Sequence, residues 1–202
     1  MNRRIANILL NEKAVFFRPD EPFTWTSGIK APIYCDNRLL ISDQSARKEV
    51  VNSFNSLIKE ENIAIVGTAT AGIPWGAWIA WEKNLPFAYI RSSEKKHGRQ
   101  NALEGKLTPG QKVILIEDLI STGKSSLDAA EKLIHLGHPV TKVMSIFTYN
   151  FPGVKERFTK MGIEAISLTD FEVLAEEARS CGNLDESNFL HVINWKNEQK
   201  VV

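Results

Sequence analysis

Val113 to Ile116 is a run of four apolar residues that ends at two adjacent carboxylates, Glu117 and Asp118. Too short for a helix and apolar on both faces, it predicts a strand buried inside a parallel sheet. A small, hydroxyl-rich turn follows, and then Leu127, Ala130, Leu133 and Ile134 recur at helical spacing. The same alternation fills residues 63–170. Ala64–Thr68, Pro86–Arg91, Val140–Phe147 and Ala165–Leu168 predict further strands. A helix carrying Trp75, Trp78, Ile79 and Trp81 lies between the first two, and another ends near Gly137. Strands alternating with helices of about 10–15 residues predict a mostly parallel sheet.

Outside that block the pattern changes. Ile5, Ile8, Leu9 and Glu12 predict a helix over residues 3–16. Phe23–Gly28 and Ala31–Asp36 alternate around a glycine turn and predict a small hairpin. Ser42-Asp43 opens a helix reaching about Glu61, with Val50, Phe54, Leu57 and Ile58 on one side. Phe171–Ala178 and Asn188–Trp195 predict C-terminal helices, with a frayed tail from Lys196. The expected architecture is a single α/β domain over residues 1–202: a mostly parallel open sheet flanked by helices. A small N-terminal hood containing a short hairpin (1–40), a core (63–170) and C-terminal helices (171–202) make it up.

Composition narrows the class. Hydrophobic residues make up 43% and charged residues 24%, as in ordinary soluble globular proteins. A net charge of +1 argues against a dedicated nucleic-acid binder. No apolar run approaches the roughly 20 residues that span a bilayer, and Ile5–Leu10 is too short for a signal core. Cys35 and Cys181 stand far apart, which signals neither a zinc site nor a disulfide framework. The expectation is a cytoplasmic protein with reduced thiols, no nucleic-acid partner, no membrane partner and no dedicated metal cluster.

The chemistry concentrates at the end of the Val113 strand, because open α/β sheets bind ligands beyond their strands' carboxyl ends. Ser121, Thr122, Gly123, Lys124 and Ser125 offer backbone N–H groups, hydroxyls, a cation and a helix N-terminus, which suit a phosphate. Glu117 and Asp118 would repel that phosphate but suit vicinal hydroxyls, or a metal carried with the ligand. An anion socket beside a hydroxyl socket describes a ribose 5-phosphate. Gly123-Lys124-Ser125 also looks like the end of a nucleotide triphosphatase loop, but the glycine required five positions earlier is Asp118. The bland alternative is a helix cap, with Ser121 or Thr122 as N-cap.

Residues 92–110 hold little to bury besides Ala102 and Leu103. Arg91, Lys95, Lys96, His97 and Arg99 make the start of this stretch cationic, and Gly98, Gly105 and Gly110 supply hinges. It reads either as a solvated surface loop or as a mobile lid over a second, more highly charged anion such as pyrophosphate. Lys95 and Arg91 then supply charge, and His97 a proton or hydrogen bond. Magnesium would come bound largely through the pyrophosphate itself.

Val113-Ile114-Leu115-Ile116-Glu117-Asp118-Leu119-Ile120-Ser121-Thr122-Gly123 resembles the 5-phosphoribosyl-1-diphosphate (PRPP) signature of the type I phosphoribosyltransferases. Phe23–Gly28 with Ala31–Tyr34, Gly67–Pro74, and Arg91–Gly105 with its Lys95-x-His97-Gly98 core make the chain similar to the orotate phosphoribosyltransferases. The resemblance covers nearly the whole chain. It implies transfer of the phosphoribosyl group from PRPP to orotate, with magnesium, in de novo pyrimidine synthesis. It also implies roles: Glu117 and Asp118 on the ribose hydroxyls, the signature from Leu119 and Ile120 through Ser121–Ser125 around the 5-phosphate, and Ser121 facing orotate. Arg91, Lys95 and His97 meet pyrophosphate, so Lys95, His97 and Asp118 become the catalytic candidates. A homodimer with shared sites is implied, and the Trp75, Trp78 and Trp81 helix is either part of that interface or core. Some family members carry lysines where this chain has Thr26 and Ala71, a basic residue at Ser92, an arginine near Tyr149 and a small residue at Lys124. Lys30 is a candidate substitute for the lysine near Thr26. Transfer to another base, such as a purine or uracil, and a non-catalytic PRPP-sensing regulator are the alternatives.

Overall fold

The computed structural model describes residues 2–25, 28–91 and 102–199. The chain opens with α1 (Asn2–Asn11), β1 (Val15–Phe17), β2 (Phe23–Thr24), β3 (Lys30–Ala31) and β4 (Ile33–Cys35), then a 3-10 turn at Asn37–Ile41. Next come α2 (Gln44–Leu57), β5 (Ile63–Thr68), α3 (Gly72–Lys83), β6 (Phe87–Ile90) and β7 (Leu103–Glu104). After them run β8 (Lys112–Ile120), α4 (Lys124–His135), β9 (Val140–Thr148), α5 (Val154–Lys160) and β10 (Glu164–Asp170). Helices α6 (Phe171–Ser180) and α7 (Glu186–Glu198) follow.

The central sheet has the order β10-β9-β8-β5-β6-β7, and every pairing is parallel except that of the edge strand β7. Every residue of β5 is buried, as befits a strand covered on both faces. The chain steps outward from β5 to β6, then returns to the opposite side of β5 as β8. That reversal leaves a crevice beyond the carboxyl ends of β5 and β8, the usual ligand position in open α/β sheets. Helix α3 starts hard against this point. A Cβ on Gly72 would lie 2.3 Å from the Ile116 carbonyl oxygen, so the approach requires glycine.

The hood differs in detail from the sequence expectation. Helix α1 ends at Asn11, and Val15–Phe17 pairs antiparallel with Ile33–Cys35 instead of continuing the helix. A β-branched residue and two aromatics favour a strand once a partner is available. Among the described residues, Phe23–Thr24 pairs only with Lys30–Ala31. Pro32, which has no N–H to donate to a ladder, separates that pair from β4.

Three other boundaries move. Strand β8 runs two residues past the acid pair, because β9 keeps pairing through Leu119↔Phe147 and Ile120↔Thr148. Helix α7 extends through Glu198, and Lys196 is buried with its ammonium on Glu172 rather than frayed. In the stretch expected to be mobile, Leu103–Glu104 forms the edge strand on β6, and Ala102 and Leu107 are buried.

An aromatic cluster joins the hood to the C-terminus. Trp25, Tyr149, Phe151, Phe171 and Trp195 pack together with centroid separations from 4.6 to 6.4 Å, Tyr149 and Phe151 stacked and the other pairs tilted or edge-on. Trp195 Nε1 donates to the Lys30 carbonyl at 2.8 Å, and Trp25 Nε1 to that of Ile33 at 3.3 Å. On α3 the tryptophans divide: Trp75 is buried, Trp78 packs edge-on against it, and Trp81 is 85% exposed.

Candidate active site

A cavity of about 770 Å³ occupies the crevice at the strand reversal. The hood supplies one wall through Trp25, Tyr34, Cys35, Asp36 and Arg38. Thr68 and Ala69 from the end of β5 meet Glu117, Asp118 and Leu119 from β8, and Ser121, Thr122, Lys124 and Ser125 form the opposite side. A cis peptide joins Ala69 to Thr70.

The acid pair is built into the sheet. The Glu117 carboxylate is buried, accepting from Ser126 Oγ at 3.3 Å and from the Asp118 N–H at 3.1 Å. Burial, reinforced by the neighbouring charge of Asp118, pushes its pKa up to about 8. Desolvation also raises the Asp118 pKa, opposed in part by hydrogen bonding and by the Arg38 charge. A pair of carboxyls with raised pKa values inside a cleft can share a proton and exchange hydrogen bonds with ligand hydroxyls, each of which can donate and accept.

The turn beyond them is shaped for an anion. Gly123 is the N-cap residue of α4, with φ +76° and no side chain of its own, and the Thr122 hydroxyl accepts from the Lys124 N–H at 3.4 Å. The first turn of α4 brings the positive end of the helix macrodipole beside the cavity, which Lys124 and Ser125 line. A Cβ on Gly123 would lie 3.1 Å from Val154 Cγ1 and 3.2 Å from a Phe158 ring carbon, so α5 packs directly behind the turn. Arg157 of α5 donates to the Thr122 carbonyl at 3.1 Å. Lys124 lines the cavity while paired at 2.6 Å with Asp128, which also lines it.

Most of the described residues singled out from sequence converge here. Asp118, Glu117, Leu119, Ser121, Thr122, Lys124, Ser125 and Arg91 all line the cavity. Gly123 sits behind the turn, and the Ile120 side chain lines a separate crevice beside α5. Arg91 pairs with Glu104 at 3.5 Å, and its N–H donates to the Ala102 carbonyl at 2.9 Å. Residue 91 and residue 102 thus meet at the cavity rim. Lys95 and His97 lie outside the described residues, as do Thr26 and Ser92. The hood's Asp36 and Arg38 were not anticipated, nor was Arg157. Asp36 holds the Arg38 guanidinium through Nε at 2.6 Å and Nη2 at 2.8 Å, which lowers the Asp36 pKa. The signal available in sequence was the density of polar residues, Asp36-Asn37-Arg38, immediately after a strand.

A phosphoribosyl transferase domain model matches residues 41–150. The orotate phosphoribosyltransferase of Bacillus subtilis is 48% identical over 195 residues, covering 95% of this chain and 90% of that protein. The chain belongs to the orotate phosphoribosyltransferase family. Solved structures agree in fold. Orotate phosphoribosyltransferase from Aeropyrum pernix superposes with a TM-score of 0.75 at 26% identity, over 86% of this chain and 97% of the other. UMP synthase from Leishmania donovani gives 0.83 at 23% identity, over 98% of this chain but only 42% of that longer one.

Of the positions where this chain departs from some family members, Ala71, Lys124 and Tyr149 line the cavity. Ala71 lines it without a charge, and Tyr149 lines it as a buried aromatic whose ring lies 4.6 Å from that of Trp25. Burial pushes the Tyr149 hydroxyl pKa well up. Lys30 is exposed and is not among the residues lining the cavity.

Proposed function

We infer that the protein transfers the 5-phosphoribosyl group from PRPP to orotate, giving orotidine 5′-monophosphate and pyrophosphate in de novo pyrimidine synthesis. The observation that carries this reading is one juxtaposition. A glycine-led helix N-terminus behind a hydroxyl-rich turn stands next to a buried acid pair at the strand reversal, in a chain 48% identical to an orotate phosphoribosyltransferase over nearly its whole length.

The 5-phosphate binds the turn at Ser121–Ser125, where amides, hydroxyls and the helix dipole meet its charge. Glu117 and Asp118 accept hydrogen bonds from the ribose hydroxyls and fix the sugar. Orotate lies toward the hood, between the Trp25 and Tyr149 side and Ser121. Its N1 bonds to C1 of the sugar as the C1–O bond breaks. The electron pair departs with pyrophosphate, which takes up the proton that N1 releases. Positive charge develops on the sugar, so catalysis rests on stabilising the departing polyanion and excluding water. Arg91, Lys95 and His97 carry the charge and proton donor for that task.

Magnesium would enter with PRPP, held largely by the substrate itself, and would supply positive charge against the departing pyrophosphate. Among the described residues no group of His, Cys, Asp and Glu is placed to hold a metal ion by itself. A homodimer with sites completed across the interface fits this reading, and Trp81, exposed on α3 beside Ala77, Ala80 and Phe87, is a fitting contact surface. No helix among the described residues is long and apolar enough to cross a membrane, which suits a cytoplasmic enzyme. The test is product formation from PRPP with orotate, adenine, hypoxanthine, xanthine and uracil in parallel. Turnover of orotate alone supports the reading. Turnover of a purine but not orotate, or PRPP binding with no turnover, overturns it.

A further inference from the structure

The strand that carries the acid pair loses one neighbour just where the acids begin. Strand β8 pairs with β5 as far as Gly67↔Ile116, and β5 ends at Thr68. On the other edge β9 continues to Ile120↔Thr148. Backbone carbonyls on the β5 edge of β8 therefore need other partners, because a buried acceptor without one is costly. The Ile116 carbonyl takes the Thr68 hydroxyl at 3.2 Å. The Asp118 carbonyl takes Asn37 Nδ2, across 81 residues of sequence, at 2.7 Å.

Asn37 is 0% exposed and both ends of its amide are engaged. Its Oδ1 accepts from the Cys35 thiol at 3.3 Å, while Nδ2 reaches Asp118. Those partners set the orientation of the amide. The residue opens the 3-10 turn that follows β4, between Asp36 and Arg38, which wall the cavity. A polar side chain wholly enclosed on the hood is thus spent on the main chain of a sugar-side acid.

We propose that Asn37 is a positioning residue for the sugar half of the site: its amide replaces the missing strand beyond β5 and fixes the peptide from which the Asp118 carboxylate projects. The proposal rests on the PRPP reading of the cavity. Although Asn37 belongs to the hood, its influence falls on the sugar rather than on the acceptor base.

The experiment is calorimetric titration of magnesium–PRPP, with steady-state kinetics, on the wild type and on Asn37→Ala, Asn37→Asp and Asn37→His. Asn37→Ala is expected to weaken PRPP binding about tenfold and to lower kcat, leaving the KM for orotate within about twofold. Asn37→Asp keeps the volume, removes the donor and is expected to lose at least as much; it replaces Asn37→Ala should the latter not fold. Asn37→His places a ring N–H at comparable reach and is expected to recover part of the PRPP affinity. A lowered melting temperature with unchanged PRPP affinity makes Asn37 a packing residue and overturns the proposal. So does a rise in the orotate KM alone. A wild type that does not bind PRPP defeats the reading beneath it instead.

Discussion

Arg157 Nη1 donates to the carbonyl oxygen of Thr122 at 3.1 Å, tying α5 to the turn proposed for the phosphate. The bond fixes a peptide whose neighbours must present their N–H groups inward. Arg157→Ala should raise the KM for PRPP about tenfold with little change in that for orotate. Arg157→Lys, which retains charge but not the planar reach, should fall between them. Initial rates at varied PRPP decide it, and an unchanged PRPP KM would leave Arg157 with no part in the turn.

Gly123 carries a second test of the same turn. Its φ of +76° is strained for any residue with a Cβ, and that Cβ would press on Val154 and Phe158. Gly123→Ala should cost about 1–2 kcal/mol of stability and weaken phosphate binding in parallel. A melting curve and a PRPP titration measure the two effects. Wild-type values in both would mean the turn tolerates a side chain.

Glu117 links the site to pH. Its folded pKa, about 8, lies above the ordinary 4.5, so the native state holds a proton that the unfolded chain has lost. The stability this contributes is fully present below about 4.5 and is lost as pH rises through about 8. Asp118 is shifted in the same direction. Lowered carboxylates such as Asp36 and Glu60 act oppositely, but only as pH falls toward their own range. The ligand-free protein should therefore melt higher at pH 6 than at pH 8.5, each kcal/mol moving Tm by about 2–4 °C. Glu117→Gln should flatten that slope. A wild-type Tm that rises across the interval contradicts the assignment.

Asp118 lines the cavity from β8, two residues before that strand ends. Asp118→Asn should lower kcat/KM for PRPP by at least about tenfold while leaving the melting temperature within a few degrees. Loss of the fold, or an unaltered rate, counts against its place on the sugar hydroxyls.

Lys95 and His97 are assigned to the departing pyrophosphate by their chemistry and by motif. Lys95→Ala and His97→Ala should lower kcat more than they weaken orotate binding, because their charge is needed most as the bond breaks. Single-turnover rates beside orotate titrations separate the two. Unchanged rates in both variants remove them from the mechanism.

What could be read from sequence followed local pattern. Four apolar residues ending in Glu117-Asp118, then hydroxyls and Gly123, revealed the strand, the acid pair and the turn together, because one short segment encodes all three. The alternation of strand and helix also announced the parallel sheet. What escaped depends on contacts between distant segments. Val15–Phe17 became a strand only because Ile33–Cys35 lies beside it. Lys196 is ordered through Glu172, and β8 is extended by β9. Asn37 and Arg157 look like ordinary polar residues of a turn and a short helix until the fold brings them to Asp118 and Thr122.

The most direct measurement is a crystal structure with orotidine 5′-monophosphate bound. The 5-phosphate is predicted on the amides and hydroxyls of Ser121–Ser125, with both ribose hydroxyls on Glu117 and Asp118 and the base toward Trp25 and Tyr149. A phosphate found elsewhere, for instance in the crevice beside α5, or a sugar turned away from the acid pair, would contradict the account.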